Sequence, residues 1–347
     1  MNITAQEKQM DFWESAPQSS KHVTKYPIKF IDLFAGIGGF RIALEQEGFK
    51  CVFSSELNQH CQKVYEENFK DKPHGDITKI NPLEIPNFEV LVGGFPCQPF
   101  SISGHKKGFD DTRGTLFFDV TRIIDKRHPK LVILENVKHL VHHDKGRTLK
   151  IILKTLEELD YYVSYQLLNA NDFGLPQNRE RIFIVATKIK YFKFETLRKI
   201  PRPKLEDFLD KQGNFELLAK DEYTLIKNPK LQISGLIFVG YRNKNGWKKG
   251  VRANTSHLSR VHRQPNRIYS IHGTHPTIPS QESSGRFFIY DDENVRKLTL
   301  NECYRIMGFE NFKQYNIVTE AYKQIGNSVA IPVVQAIIKE IKNQGII

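Results

Sequence analysis

The chain has 347 residues, of which 39% are hydrophobic and 26% charged, with a formal net charge of +12. That balance describes a globular protein rather than a disordered one, and the length suffices for one large domain plus a smaller one. No apolar run approaches the length of a bilayer span and Met1 to Lys8 hold no signal-peptide core, so the cytoplasm is the expected compartment and no membrane partner is expected.

The first 27 residues are polar and without a clear period, and they read as a loosely docked arm. Regular patterning begins at Ile28. Residues 28–34 read as a strand and 35–39 as a glycine turn. Phe40, Ala43 and Leu44, closed by Gly48, read as a helix with its stop. Strands follow at 51–53, 88–92, 131–134 and 181–186, with helices at 58–68, 116–126 and 147–159 between them. Short apolar runs alternating with amphipathic helices predict an α/β fold with a parallel sheet covered on both faces. Beyond about residue 190 the period is lost among prolines and glycines, which marks 200–295 as a separate loop-rich region. Thr299-Leu300-Asn301-Glu302 is a capping-box pattern that opens a short helix ending at Gly308, and 329–342 forms a last helix.

Phe34-Ala35-Gly36-Ile37-Gly38-Gly39 joins a strand to a helix, the place where a doubly wound fold holds a nucleotide-like ligand. Glu56 ends the next strand, where an acid can accept both ribose hydroxyl hydrogens. Asp76 follows as a second acid that can meet an adenine amino group. Arg41 stands where the dinucleotide pattern requires its third glycine. A nucleoside with a carboxylate and no phosphates, such as S-adenosylmethionine, therefore fits better than a nicotinamide cofactor, which these residues alone leave open.

The four cysteines, Cys51, Cys61, Cys97 and Cys303, show no C-x-x-C spacing, so reduced thiols are expected and no metal. Three of them lie in apolar or helical stretches and read as packing residues. Cys97 differs, because Gly93-Gly94-Phe95-Pro96-Cys97-Gln98-Pro99-Phe100-Ser101 puts its thiol on a loop beyond a strand. A free cysteine is usually a small buried hydrophobe, but the flanking glycines and prolines argue for a loop placed for nucleophilic chemistry. No spacing identifies the His and Asn or Asp of a cysteine protease. Phe100 stands where a zinc deaminase needs its second metal cysteine.

Charge is concentrated in one segment. Residues 231–280 hold eight Lys or Arg and no Asp or Glu, two-thirds of the net charge, which points to a nucleic-acid partner.

At this point the chain resembles the cytosine-5 DNA methyltransferases over residues 28 to 340. The matching segments come in order: Asp32-Leu33-Phe34-Ala35-Gly36-Ile37-Gly38-Gly39, Gly93 to Gln98, Glu135-Asn136-Val137, Gln177-Asn178-Arg179-Glu180-Arg181, Arg296-Lys297-Leu298-Thr299, and Gln324-Ile325-Gly326-Asn327-Ser328-Val329. The resemblance implies a Rossmann-like S-adenosylmethionine-dependent catalytic domain with a mainly parallel sheet (28–199 and 320–347). It adds a smaller loop- and strand-rich target-recognition domain (200–295) and a hinge (296–319).

By the same resemblance Cys97 adds to carbon 6 of a flipped-out cytosine, and Glu135, protonated through burial, bonds ring nitrogen 3 and the exocyclic amine. An ion pair would instead lower that pKa. Arg181 and secondarily Arg179 contact the base carbonyl or hold the loop. The cofactor is expected against Phe34, Gly36, Ile37, Gly39, Glu56, Leu57, Asp76, Ile77, Pro96, Leu116, Asn327 and Ser328. Leu57 stands where some members stack a Trp on adenine. Ser101, Ser103, Lys106 and Lys107 belong to the loop that closes on DNA, and Arg242, Arg263 and Arg267 are expected to contact it. The implied partner is double-stranded DNA, methylated by a monomer that protects the site of a cognate restriction endonuclease without a stable complex. A transfer-RNA methyltransferase of the same family and an inactive DNA-binding member are the alternatives.

Overall fold

Strand β1, Lys29–Leu33, is buried along almost its whole length, as a run of Phe, Ile and Leu requires when helices cover both faces of a sheet. The computed structural model describes residues 26–96, 116–244, 254–281 and 287–347. Beside β1 run β2 (Lys50–Ser55), β3 (Val90–Gly94) and β4 (Leu131–Val137), all parallel. Two further strands complete the sheet: β5 (Tyr162–Asn169), and β7 (Glu180–Thr187), which follows the two-residue β6 (Gln177–Asn178). The order is β2-β1-β3-β4-β7-β5.

The sheet is mainly parallel, as expected, with two antiparallel additions: β7 pairs antiparallel with β4, and β5 antiparallel with β7. Strand β5 gave no sequence signal. It is an edge strand with Tyr162, Tyr165 and Leu167 partly exposed, so its residues show neither clean alternation nor a continuous apolar run.

Helices α1 (Gly39–Gln46), α2 (Gln59–Phe69), α3 (Leu116–Arg127) and α4 (Arg147–Glu158) cover the sheet. Two hydrophobic clusters flank it. One gathers Phe30, Val92 and Ile133 with the C-terminal helices, and the other gathers Ile31, Leu91 and Val132 with α3 and α4. Asn58 caps α2, its side chain accepting from the backbone N–H of His60 and Cys61.

Residues 223–297 form a second, five-stranded sheet in the order β13-β12-β10-β9-β8. Its strands are β8 (Tyr223–Leu225), β9 (Phe238–Arg242), β10 (Arg267–Ser270), β12 (Phe288–Tyr290) and β13 (Val295–Lys297). The last of these crosses the boundary expected at 295. A small cluster of Val239, Ile268, Phe288 and Val295 lies inside it. Between these strands, β11 (His275–Pro276) pairs with β6.

The capping box at Thr299 and Glu302 opens α5 (Leu300–Arg305). Glu302, fully buried, also takes both terminal nitrogens of Arg296 at 2.9 and 2.8 Å, which ties β13 to the helix. Helices α6 (Val318–Asn327) and α7 (Ile331–Asn343) end the chain. Among the described residues, no helix is long and apolar enough to cross a membrane.

Candidate active site

The carboxyl ends of β1, β3 and β4 open onto a cavity of about 420 Å³, within the range of small-molecule sites. The glycine turn forms one wall. Phe34 and Gly36 both have positive φ (55° and 56°), which bends the chain sharply from β1 toward α1. The turn does not leave every N–H open to a ligand, because the Gly36 N–H donates to Glu56 Oε2 at 2.8 Å. The Asn58 N–H donates to Glu56 Oε1 at 2.7 Å. Both carboxylate oxygens are thus held by backbone donors, each with acceptor capacity to spare.

Close packing explains two more glycines. A Cβ on Gly39 would come within 2.9 Å of Ser328 Oγ, so α1 meets the segment after α6 directly. A Cβ on Gly94 would meet Glu135 Oε2 at 3.3 Å, so the end of β3 passes beside that acid.

Glu135 sits near the end of β4 in the cavity wall. Its Oε1 lies 3.1 Å from Arg181 Nε. The two competing expectations for its pKa are both present, and burial wins. Desolvation raises the carboxyl above its ordinary value, while Arg181 and then Arg179 pull it down. Arg181 reaches the acid because β7 is antiparallel to β4, which puts the first residues of one strand beside the last residues of the other, Arg181 opposite Val137.

Arg179 is placed differently. It is 2% exposed, and its guanidinium donates to the carbonyls of Ile278, Gly326 and Ser328 at 3.3, 3.0 and 2.6 Å. Arg179 thus ties three stretches of chain together, and it also lines the cavity. Asn136, next to Glu135, donates from Nδ2 to the Phe95 carbonyl at 2.8 Å. It thereby fixes the chain two residues before Cys97.

Phe34, Gly36, Gly39, Glu56, Pro96, Asn327 and Ser328 all line the cavity. Among the described residues, Ile37, Leu57, Asp76, Ile77 and Leu116 stand outside its walls. Ile37 and Ile77 belong to the two hydrophobic clusters, Leu116 packs against one of them, and Leu57 is 69% exposed. Asp76 lies on the same rim, past the His74 bridge to Ser55, and its Oδ1 accepts from the Thr78 N–H and hydroxyl. Asn58, Cys61, Glu320, Lys323 and Gln324 line the cavity and were not anticipated. Four of the five are polar or charged side chains on a helix or capping one, which sequence alone cannot tell from a solvated face. Cys97, Ser101, Ser103, Lys106 and Lys107 lie outside the described residues.

A second cavity, of about 310 Å³, lies between the rim of the large sheet and the five-stranded one. Arg181 lines both cavities. Lys138, Gln264 and Arg267 give the second one a basic and polar lining. Arg267 is steadied by donating to the His262 carbonyl at 3.0 and 3.2 Å. Arg263 is exposed, whereas Arg242 stacks over the Phe288 ring at 4.3 Å.

Residues 28–343 match the family described as C-5 cytosine-specific DNA methylase. The chain belongs to that family. Among relatives of the cytosine-specific methylase, the Type II methyltransferase M1.ScrFI of Lactococcus lactis subsp. cremoris is 44% identical over 335 residues, covering 94% of this chain and 80% of that protein. The Type II methyltransferase M.HhaI of Haemophilus parahaemolyticus is 40% identical over 328 residues, covering 89% and 93%. Solved structures of similar fold include the S. pombe Dnmt2 methyltransferase, with a TM-score of 0.65 at 16% identity over 92% of this chain and 99% of that one. The Entamoeba histolytica methyltransferase EhMeth has a TM-score of 0.64 at 20% identity, with coverage of 92% and 98%. At such identities the structural likeness speaks to fold alone. Methylases of this family act on DNA and take the methyl group from S-adenosylmethionine.

Proposed function

We propose that this protein methylates carbon 5 of a cytosine in a specific duplex sequence, as the protective arm of a restriction–modification system. The observation that carries the reading is Glu135, a largely covered acid whose pKa desolvation raises, in the wall of a cavity shared with the glycine turn and with the end of β3 just before Cys97. We also propose that it works in the cytoplasm as a monomer, and that a cognate endonuclease recognises the same site without joining it in a stable complex.

The donor set supports S-adenosylmethionine as the ligand of this chain. Glu56, pinned by two backbone N–H groups, can accept both ribose hydroxyls. Phe34, Gly36, Gly39, Pro96, Asn327 and Ser328 would hold the rest. Asp76, Ile77 and Leu116 are assigned to the adenine end, with Leu57 beside them, and Ile37 contributes through the backbone of the turn. When bound, the cofactor supplies an electrophilic methyl group on a sulfonium.

The chain's own residues prepare the base. Carbon 5 of cytosine is too weak a nucleophile to take a methyl group unaided. The Cys97 thiolate adds to carbon 6, and the electron pair displaced from the ring is met by a proton from Glu135 at nitrogen 3. Carbon 5 is then enamine-like and takes the methyl group. A base removes the carbon 5 proton, the thiolate leaves, nitrogen 3 returns its proton to Glu135, and the aromatic ring is restored. Arg181 holds the Glu135 carboxyl and contacts the base carbonyl, while Arg179 acts as a positioning residue.

Reaching a paired cytosine requires flipping it out of the stack, at a cost of about a few kcal/mol. The segment 200–295 is assigned to target recognition. Ser101, Ser103, Lys106 and Lys107, with Arg242, Arg263 and Arg267, are assigned to DNA, the last of them from the second cavity. Duplex DNA containing 5-fluorocytosine at the target tests the mechanism. A covalent adduct that survives denaturation is expected with the native protein and not with Cys97→Ser. Absence of any adduct, alongside normal methylation of ordinary DNA, would overturn the thiol route.

A further inference from the structure

Gln324 is 4% exposed and lines the large cavity, and neither its amide nitrogen nor its amide oxygen has a hydrogen-bond partner among the described residues. Buried polar groups are nearly always paired, so an amide unmet at both ends beside a cavity calls for a ligand that meets both. Its helix, α6, adds a pattern. Glu320, Lys323, Gln324 and Asn327 follow an i, i+3, i+4, i+7 spacing, and all four line the cavity. Glu320 Oε2 also lacks a hydrogen-bond partner among the described residues, and lies 3.5 Å from Lys323 Nζ. One wall therefore offers an anion, a cation and, between them in character, an amide with a donor and an acceptor.

We propose that Gln324 binds the amino-acid end of S-adenosylmethionine, with Nε2 donating to the α-carboxylate and Oε1 accepting from the α-ammonium. The neighbouring Glu320 and Lys323 carry the charges complementary to that zwitterion. The ordinary alternative is a bridging water on the amide, with Glu320 and Lys323 serving only each other as an i,i+3 pair; a zwitterion would use the amide and both charges at once. The inference rests on the S-adenosylmethionine reading given above.

The test is titration calorimetry of the full chain with two ligands, S-adenosylmethionine and 5′-methylthioadenosine, which keeps the nucleoside and the methylated sulfur, as a neutral thioether in place of the sulfonium, but lacks the amino-acid end. Gln324→Met removes donor and acceptor. Gln324→Glu keeps an acceptor of the same size and sets a negative charge against the carboxylate. Each variant is expected to bind S-adenosylmethionine about tenfold or more weakly, as for a lost hydrogen bond to a charged group, with 5′-methylthioadenosine affinity within about twofold of the native value. Should Gln324→Met fail to fold, Gln324→Glu carries the comparison. Equal weakening for both ligands, or S-adenosylmethionine affinity unchanged in the variants, would overturn the assignment. Failure of the native protein to bind S-adenosylmethionine would instead overturn the parent reading.

Discussion

Arg181 Nε approaches Glu135 Oε1 to 3.1 Å, yet the acid keeps its proton more readily than a free carboxyl does. The cation limits the rise that burial imposes and at the same time orients the carboxyl. If Glu135 delivers a proton to the ring, the protonated form is the working one, and single-turnover methylation falls as pH rises through its raised pKa. Glu135→Gln should remove that alkaline limb and slow methylation by about 10²- to 10⁴-fold, with DNA binding retained. Rapid-quench rates over a pH series check this. A limb unchanged in the variant would remove Glu135 from the role.

Arg179 joins three stretches of chain through the carbonyls of Ile278, Gly326 and Ser328. Arg179→Met leaves those acceptors without their donor. A loss of about 2 kcal/mol in stability is expected. Because Ser328 lines the cavity, cofactor affinity should weaken more than the rate at saturating cofactor falls. Denaturant unfolding, with KM and kcat measured separately, distinguishes this from a contact with the base, which would lower kcat alone.

A Cβ on Gly326 would stand 2.1 Å from the Pro279 carbonyl oxygen, and both sides of that contact are backbone. Neither can swing aside as a side chain would. Gly326→Ala should cost about 1–3 kcal/mol, read as a fall in denaturation midpoint, whereas Gly75→Ala, where a Cβ meets nothing within 4 Å, should leave it unchanged.

Asp32 is fully buried, with no side-chain donor on either carboxylate oxygen among the described residues and only the Arg41 backbone N–H turned toward it. Burial pushes its pKa up to about 8, against the pull of Arg41 and with reinforcement from Glu56 and Glu45. Since the folded value exceeds the unfolded one near 4, the folded state binds the extra proton between those values. This group's stabilisation is complete below about pH 4 and is lost as pH rises through 8. Asp32→Asn should flatten that slope, which chemical unfolding at several pH values will show. An unchanged slope would assign it to another group.

The strands β1 to β4 and the helices between them were legible because a strand covered on both faces becomes a nearly unbroken apolar run. The direction of β7 was not legible. Its residues are as apolar as those of the parallel strands, and strand direction depends on where the connecting chain runs, not on local composition. Glu135, Glu56 and the glycine turn could be named because each sits at the end of a recognisable strand. Gln324 and Lys323 could not, since a polar helix residue facing a cavity has the same sequence signal as one facing water. Arg179 was visible as a charge, but its three carbonyl partners come from segments about 100 and 150 residues away, which no local pattern reports.

The cluster inside the five-stranded sheet, Val239, Ile268, Phe288 and Val295, is separate from the two clusters that flank the catalytic strands, and of those five strands only Ile289 of β12 reaches into either. A substitution on the outer loops of that sheet is therefore expected to leave the packing around Glu135 undisturbed. Lineages of such a protein can trade one outer surface for another while inheriting the reaction intact, much as a tool keeps its handle through a succession of bits.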